Sequence, residues 1–244
     1  VCSVSIFFFS LIQLDLFLNY KKSKSKAKKI ILPDFKNLPF VTVQLPIYNE
    51  QNVIKRLLDA IVKMDYPSDK IEIQVLDDSD DNSSIYVKKL ISQLKSKTNL
   101  KINHIIRKNR DGFKAGALKY GLELAKGNYI AIFDADFIPR SDWLKKTVCG
   151  FKDPKVGVVQ TKWNHINKNF SLLTKIQAFA LDIHFTLEQV GRSLNSYFLN
   201  FNGTAGIWRK EAILKSGNWN SDTLTEDLDL SYRAVSYTHL TLPT

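Results

Sequence analysis

Residues 127–143 read GNYIAIFDADFIPRSDW and join an apolar run to two carboxylates. The run at 129–133 has the composition of a strand that is buried on both faces of a sheet. Asp134 and Asp136 follow it, separated by a single alanine. Two carboxylates at the end of a buried strand repel each other and cost desolvation free energy unless a positive charge lies between them. The stretch therefore predicts a central strand whose carboxyl end forms a ligand site.

Segments of strand and helix character alternate on the N-terminal side of this stretch. Apolar and β-branched runs predict strands at 41–45, 71–76, 101–106 and 128–133. Apolar residues at helical spacing predict intervening helices at 52–64, 84–94 and 113–125. Strands that alternate with helices of this length form a parallel sheet with helices on both faces. The predicted fold class is therefore α/β, with a mainly parallel sheet.

The pattern becomes less regular after Arg140. A further strand is predicted at 156–161 and a long helix at 172–190. A loop at 195–206 and a short helix at 210–216 follow. We interpret this second part as an extension that packs on the same sheet.

The first 20 residues are strongly apolar and precede a basic segment. Three consecutive phenylalanines leave no polar face, although Gln13 and Asp15 interrupt the run. Because a full membrane span needs about 20 apolar residues, we predict a partial transmembrane helix at 1–20. The lysine-rich linker at 21–39 then places the following domain on the cytoplasmic face of the membrane. The alternative is a buried amphipathic helix followed by a solvated basic tail.

The formal net charge of +11 raises the question of a nucleic-acid partner. Six lysines and no acidic residue occur at 21–29, so more than half of this charge lies in the linker. A nucleic-acid-binding α/β domain, the alternative from a different functional class, would need its positive charge spread over a folded face. We therefore expect no nucleic-acid partner. The two cysteines form no disulfide framework, which is typical of a reducing compartment.

The last ten residues, VSYTHLTLPT at 235–244, do not continue the amphipathic pattern that precedes them. They resemble the translation of a sequencing-library adapter that was read in frame. We therefore expect a non-native tail at 235–244, and a native loop is the alternative.

Three acidic clusters mark strand ends or later loops: Asp77 with Asp78, Asp134 with Asp136, and Glu226 with Asp227. In an open parallel sheet, ligands bind beyond the carboxyl ends of the strands. The first strand continues into PIYNE without a G-x-G-x-x-G motif, which disfavours a dinucleotide site. Polar groups in that turn instead suit recognition of a base and ribose by side chains.

A divalent cation would neutralise Asp134 and Asp136. Mg²⁺ is typically held by one or two carboxylates together with phosphates of the ligand, so we predict that these two residues bind Mg²⁺ or Mn²⁺ beside a diphosphate. Lys114, at the start of a predicted helix, would add positive charge near the phosphates. The strand-end argument assigns Asp77 and Asp78 to the nucleotide side as well. For these two the alternative is a helix N-cap in a surface turn.

Seven short motifs follow one another along the chain: VTVQLPIYNE, QVLDDSDD, FKAGAL, FDADF, VVQTKW, FNGTAGIWR and TEDLDLSYRA. In this order they resemble the processive family 2 glycosyltransferases, and in particular the branch of cellulose synthases and mannan synthases. The resemblance covers residues 40–234 and implies a GT-A domain with a Rossmann-like sheet. That family also has a Gln-x-x-Arg-Trp segment and later transmembrane helices, which lie beyond these residues. We therefore expect a C-terminally truncated domain with no acceptor channel.

Matched position by position, the resemblance implies a nucleotide-sugar site lined by Tyr48, Glu50, Asp78, Lys114 and Asp134. Asp134 and Asp136 would form the D-x-D pair for the nucleotide sugar and the metal.

The resemblance also implies an acceptor site. Asn202, Gly203 and Thr204 would lie near the acceptor sugar, together with Glu226. Asp227 of the TED motif would be the catalytic base. No histidine is an obvious base, because each lies in a strand-like or helical segment, beside one, or in the suspect tail. The alternative for Asp227 is that it stabilises a helix N-terminus.

Two tryptophans, Trp163 and Trp208, are candidates for stacking on sugars, although packing in the core is the more common role of a tryptophan.

The function that the resemblance implies is inverting transfer of a hexose. A membrane-anchored enzyme would use UDP-glucose or GDP-mannose as the donor and a growing β-glycan as the acceptor. The alternative within the same enzyme class is glucosylation of a lipid such as ceramide.

Overall fold

A computed structural model describes residues 2–23, 38–194 and 199–237 of the chain. Six strands form one sheet in the order β3-β2-β1-β4-β6-β5. Their bounds are β1 (Val41–Ile47), β2 (Ile71–Asp77), β3 (Lys101–Ile106), β4 (Tyr129–Ile132), β5 (Val158–Gln160) and β6 (Gly206–Arg209). Strands β1 to β4 pair in parallel, whereas β6 is antiparallel to both β4 and β5. The prediction of a mainly parallel α/β sheet is confirmed.

Helices flank the sheet and precede it. Their bounds are α1 (Cys2–Ser23), α2 (Ile54–Val62), α3 (Ser83–Lys95), α4 (Phe113–Leu124), α5 (Trp143–Val148), α6 (Leu172–Ile183), α7 (Val190–Leu194), α8 (Lys210–Lys215) and α9 (Glu226–Tyr237). A π-helical turn, His184–Gln189, lies between α6 and α7, so the long helix predicted at 172–190 contains one widened turn. A 3₁₀ turn, Cys149–Lys152, follows α5.

The core consists of two hydrophobic clusters, one on each face of the sheet. Helices α2, α3 and α5 contribute to the first cluster, and α4, α8 and α9 contribute to the second. Val43 in β1 is opposite Ile73 in β2 and Ala131 in β4, and all three are fully buried. Continuous apolar runs such as β4 are therefore explained by burial on both sides.

The ends of β1, β2 and β4 meet at one edge of the sheet. Ile47 at the end of β1 is in register with Asp77 at the end of β2. The amide of Phe133, just after β4, donates to the carbonyl of Gln44 in β1 at 3.2 Å. Asp134 therefore emerges beside the end of β1, where the chain turns into the PIYNE segment.

Strand β6 was not predicted from the sequence. Its four residues lie within FNGTAGIWR, where Ile207 and Trp208 are fully buried. Strands this short carry no readable periodicity, and their pairing with β4 is a tertiary effect.

Helix α1 is long and apolar enough to cross a membrane, and most of its surface is exposed. Its exception is Leu16, which is buried against Gly191; a methyl group added to that glycine would lie 2.8 Å from the Leu16 carbonyl oxygen. Most of the predicted basic linker, at 24–37, lies outside the described residues. So do residues 238–244 of the predicted tail, while α9 includes residues 235–237. The tail boundary at residue 235 stays a prediction.

Candidate active site

A cavity of about 180 Å³ opens at the edge of the sheet where β1, β2 and β4 end. Its walls come from the turn after β1, the ends of β2 and β4, the segment before α4, and α4 itself. The residues that line it are Pro46, Ile47, Tyr48, Glu50, Asp78, Arg110, Lys114, Ala117, Asp134 and Ala135. Five residues predicted for the nucleotide site, Tyr48, Glu50, Asp78, Lys114 and Asp134, therefore line one cavity.

Lys114 links three of the predicted motifs. Its ammonium group lies 2.7 Å from Oδ1 of Asp134 and 3.7 Å from Oε1 of Glu226, and it donates to the carbonyl of Gly203 at 3.1 Å. The lysine stands in the first turn of α4, directly after Gly112 in a left-handed conformation and Phe113. One cation thus joins the D-x-D pair, the loop before β6 and the start of α9.

The loop before β6 brings the second and third acidic clusters together. The amide of Asp134 donates to the hydroxyl of Thr204 at 3.0 Å. Gly203 has a φ of +73°, and a Cβ atom added there would lie 3.2 Å from Oδ2 of Asp227. Glycine therefore suits both the left-handed backbone conformation and the close approach of the Asp227 carboxylate.

Negative charge accumulates around Asp134. Burial raises the pKa of Asp134, the Lys114 ammonium lowers it, and the carboxylates of Asp136 and Asp227 raise it further, so that the net pKa lies above its usual value. Burial also raises the pKa of Glu50, and Asp136 and Asp134 add to that rise. The site therefore holds more carboxylates than Lys114 can neutralise, and it favours an additional cation.

The donor atoms fit a divalent cation that is shared with a ligand. Asp134 is partly buried, whereas Asp136 is exposed and does not line the cavity. Among the described residues, no group of three or more His, Cys, Asp or Glu side chains is placed to hold a metal ion. A cation bound by these two carboxylates would need oxygen atoms from phosphate and water to complete its coordination, which is the usual arrangement for Mg²⁺.

Aromatic and basic side chains form the other end of the cavity. The Arg110 guanidinium lies 3.3 Å from the centre of the Tyr48 ring, a stacked cation–π contact. The Tyr48 hydroxyl donates to Asp80 at 2.9 Å, and this hydrogen bond is the main reason that the pKa of Tyr48 is raised. Asn49, which has a φ of +58°, binds the same aspartate at 2.8 Å. This end presents a flat aromatic surface together with fixed charges.

Two aspartates after β2 have different environments. Asp78 lines the cavity and forms a two-pronged ion pair with Arg107. Asp77 is buried, and its carboxylate accepts hydrogen bonds from His104 at 2.7 Å and from the Ser79 amide at 3.0 Å. Burial acts to raise the pKa of Asp77, but these hydrogen bonds outweigh it and lower the pKa. Asp77 does not line the first cavity, but it lines an adjacent cavity of about 200 Å³ together with Asp78 and Arg110, so its assignment to the nucleotide side stays a prediction.

Gln160 anchors the loop before β6. This residue ends β5 and is almost completely buried. Its side-chain oxygen accepts from the Asn202 amide at 2.9 Å, and its nitrogen donates to the Thr204 carbonyl at 3.0 Å. The three residues predicted for acceptor binding, Asn202, Gly203 and Thr204, are thus held next to Asp134 and Asp227.

The two tryptophans occupy different positions. Trp208 is fully buried between Phe201 and Trp219, so it is a core residue. Trp163 is partly exposed and packs edge-on against Phe137 and Phe185.

Arg107, Arg110 and Gln160 were missed from the sequence. Both arginines lie in RKNRDG, immediately after β3. The strand-end argument that singled out the acidic clusters also applies to β3, and it would have found these basic residues. Gln160 gave no comparable signal, because a single glutamine at a strand end is more often a surface residue.

An open, mainly parallel sheet with a D-x-D pair, a lysine and a second acidic cluster at its carboxyl edge is the architecture of a GT-A domain. The chain matches the description "Glycosyl transferase family 2" over residues 42–215. It belongs to that family.

Similar proteins agree with this assignment. The chain is 45% identical over 201 residues to "Probable glucomannan 4-beta-mannosyltransferase 4" of Oryza sativa subsp. japonica, covering 80% of this chain and 36% of the relative. It is 40% identical over 220 residues to "Glucomannan 4-beta-mannosyltransferase 1" of Cyamopsis tetragonoloba, covering 88% of this chain and 42% of the relative. The chain therefore spans well under half the length of these two curated relatives.

A solved structure has a similar fold. The mannosyltransferase PcManGT from Pyrobaculum calidifontis, in complex with GDP-Man and Mn²⁺, superposes with a TM-score of 0.74 and 26% identity. The match covers 99% of this chain and 66% of that one.

Proposed function

We propose that this chain forms the catalytic domain of an inverting mannosyltransferase that extends a β-linked glucomannan from GDP-mannose. The observation that carries the proposal is the convergence on Lys114 of Asp134, Gly203 and Glu226, which come from three separate motifs. The choice of mannose as the transferred sugar rests on the names of the relatives. Both are named as glucomannan mannosyltransferases, and the PcManGT structure contains GDP-Man.

The nucleotide would occupy the cavity at the end of β1 and β2. The stacked pair of Tyr48 and Arg110 offers an aromatic surface for a base, and Asp78 offers a carboxylate for hydroxyl or amino groups. Lys114 would pair with the phosphates, because it is the cation nearest to the D-x-D pair. In this arrangement the diphosphate would point toward Asp134.

Asp134 and Asp136 would hold Mg²⁺ or Mn²⁺. When bound, the cation supplies neutralisation of the diphosphate and so stabilises it as a leaving group. The raised pKa of Asp134 supports this role, since an uncompensated carboxylate in that position gains from a cation.

Asp227 would act as the general base. Inversion requires the acceptor hydroxyl to attack from the side opposite the departing diphosphate, and its proton must leave as the new bond forms. The carboxylate of Asp227, in α9, lies beside Gly203, and Gly203 belongs to the loop proposed to bind the acceptor. A positioned base contributes about 10²- to 10⁴-fold to such a step.

The acceptor would be a polysaccharide. Both named relatives are glucomannan enzymes, which favours a glycan over ceramide. Asn202 in the loop before β6 has a partly exposed side-chain amide, which suits a sugar with many hydroxyl groups. Membership of a glycosyltransferase family leaves the nucleic-acid alternative without support.

The membrane would be a further partner. Helix α1 has the length and composition of a span, with Lys21 and Lys22 in its last turn. Additional apolar side chains are exposed on and before α6, such as Phe170, Leu173 and Phe179. Contiguous exposed apolar surface is expected where a protein contacts lipid. By the positive-inside rule, the catalytic domain would lie on the cytoplasmic face.

A donor comparison tests this proposal. Full-length protein in detergent or nanodiscs is incubated with Mn²⁺, a β-1,4-mannan oligosaccharide and either GDP-mannose or UDP-glucose at equal concentration. We expect mannose transfer from GDP-mannose to exceed glucose transfer by at least tenfold. Preferential use of UDP-glucose would contradict the choice of sugar, and activity that persists in EDTA would contradict the role of the cation.

A further inference from the structure

Three polar residues of the π-helical turn, His184, Glu188 and Gln189, lie outside the site described above. His184 Nδ1 is 2.8 Å from Oε2 of Glu188, one turn further along. The other oxygen of Glu188 accepts from the side-chain amide of Gln13 in α1 at 3.1 Å. Gln13 is the residue that interrupts the apolar run of α1. The π turn thus connects α1, through Glu188, to a histidine.

The second nitrogen of His184 faces the loop before β6. Nε2 is 3.4 Å from the side-chain amide nitrogen of Asn202 and 3.4 Å from that of Gln189. Because the Glu188 carboxylate accepts from Nδ1, the neutral ring carries its proton there and leaves a lone pair on Nε2. Both amide nitrogens can only donate, and the lone pair accepts from one of them at a time. In this tautomer His184 is an acceptor for the Asn202 amide.

The other side of the Asn202 amide is also held. Its oxygen accepts from Asn200 at 3.1 Å, and Gln189 lies at 3.5 Å. Gln189 is buried, and its own side-chain oxygen has no hydrogen-bond partner among the described residues. A widened turn brings residues five apart onto one side of the helix, which allows His184 and Gln189 to meet here. Such turns are frequent at functional sites.

We propose that His184, oriented by Glu188, is a positioning residue for the acceptor loop (residues 200–204), and that Gln13 couples this pair to α1. The inference rests on the proposed function, because it requires Asn202 to lie beside the acceptor. The side chain of Gln160 holds the backbone of the loop in position, whereas His184 sets the direction of the Asn202 side chain. Loss of His184 should therefore affect the acceptor and leave the donor bound.

The test measures donor and acceptor parameters separately in the full-length protein. His184→Phe keeps a ring of similar size and removes both nitrogens. We expect a rise in acceptor KM, or a fall in transfer rate, of about tenfold, the size expected for one lost orienting hydrogen bond. The Kd for GDP-mannose and the rate of donor hydrolysis without acceptor should change less than twofold.

Three further variants separate positioning from general damage. His184→Gln places an amide oxygen near the former Nε2 and should recover most of the acceptor KM. Gln13→Leu should give a smaller acceptor defect, since it removes only the link to α1. Asp182→Asn is the control: it breaks the ion pair with Lys162 at 2.6 Å on the preceding helical turn and should leave both parameters unchanged.

Several results would overturn the inference. One is an unchanged acceptor KM and transfer rate in His184→Phe, and another is an equal loss for donor and acceptor. If His184→Phe fails to fold, Glu188→Gln, which weakens the acceptor for Nδ1, must show the selective acceptor defect, and its absence would reject the proposal. Failure of the wild-type protein to bind GDP-mannose at all would instead refute the proposed function.

Discussion

The carboxylate of Asp134 shows how single residues define this site. It is partly buried at the end of β4, paired with Lys114 at 2.7 Å, and repelled by Asp136 and Asp227. Removing water from a carboxylate destabilises its charged form, and neighbouring carboxylates add to that effect. One lysine offsets only part of the cost. A ligand that brings a divalent cation would remove the remaining imbalance, which supports the proposal of a metal-bound diphosphate in this site.

Competition between protons and the cation follows from the raised pKa of Asp134. A proton is held by Asp134 up to a higher pH than by an ordinary aspartate, whose pKa is about 3.9. Mn²⁺ must displace that proton, so its affinity should fall as the pH is lowered toward the raised pKa. The measurement is the rise in melting temperature caused by Mn²⁺ with GDP, taken from pH 7 downward. Asp136→Asn should reduce the rise at every pH, and an unchanged rise in that variant would remove Asp136 from the cation site.

Asp227 and Asp229 give a matched pair for the catalytic base. Both lie in the first turn of α9, but Asp229 is paired with Arg233 at 2.6 Å whereas Asp227 lies against Gly203. Asp227→Asn should reduce transfer by about 10²- to 10⁴-fold with near-normal donor binding. Asp229→Asn should cost some stability and keep turnover. If Asp227→Asn keeps as much turnover as Asp229→Asn, both residues serve only the helix N-terminus.

At the scale of elements, the first four strands and their connecting helices could be predicted from the sequence. The buried strand β4 is a continuous apolar run, β2 carries Ile71, Ile73 and Val75 at every second position, and α2 has its apolar residues on one side. β6 could not be predicted, because four residues carry no periodicity and Trp208 pairs with Ile130 only in the folded chain. The meeting of Lys114 with Gly203, 89 residues apart, is equally a result of tertiary packing.

The acidic clusters were predictable for a different reason. Asp78, Asp134 and Asp136 follow apolar strands, where a charged residue is unexpected unless it binds something. The same rule applied to β3 would have predicted Arg107 and Arg110. They were missed because charged residues are common in surface loops. Asp77 follows the same rule, and its carboxylate also accepts a hydrogen bond from His104 in the neighbouring strand.

The loop before β6 provides a test at the scale of an element. Gly203→Ala should cost roughly 1–2 kcal/mol, because the residue is left-handed, and should also displace the Asp227 carboxylate. Gly217→Ala is the control, since Gly217 has a φ of +86° and its nearest neighbour is the tip of Arg233. Both variants should lose similar stability in a urea titration, while only Gly203→Ala loses most of its transfer activity. Equal transfer activity in Gly203→Ala and Gly217→Ala would show that the loop before β6 has no role in catalysis.

At the scale of the whole molecule, α1 is the element proposed to anchor the protein in a membrane. Phe8 lies near the middle of the first half of α1 and is mostly exposed. A charged residue within a span opposes insertion, with a cost of about 2.5–3.5 kcal/mol at the centre of the span and less toward its ends. Phe8→Arg should therefore lower the fraction of this chain that resists carbonate extraction from membranes, whereas Phe8→Leu should not. Complete extraction of the unaltered chain would contradict the membrane proposal.

The stereochemistry of the product tests the central claim most directly. GDP-mannose carries an α-linked sugar, so a single displacement assisted by Asp227 must give a β-linkage. Full-length protein is supplied with GDP-[¹⁴C]mannose, Mn²⁺ and a β-mannan oligosaccharide, and the product is digested with an endo-β-mannanase. We predict that the radiolabel is released as short β-linked oligosaccharides. A product that resists the β-mannanase and is cleaved by an α-mannosidase would contradict the account.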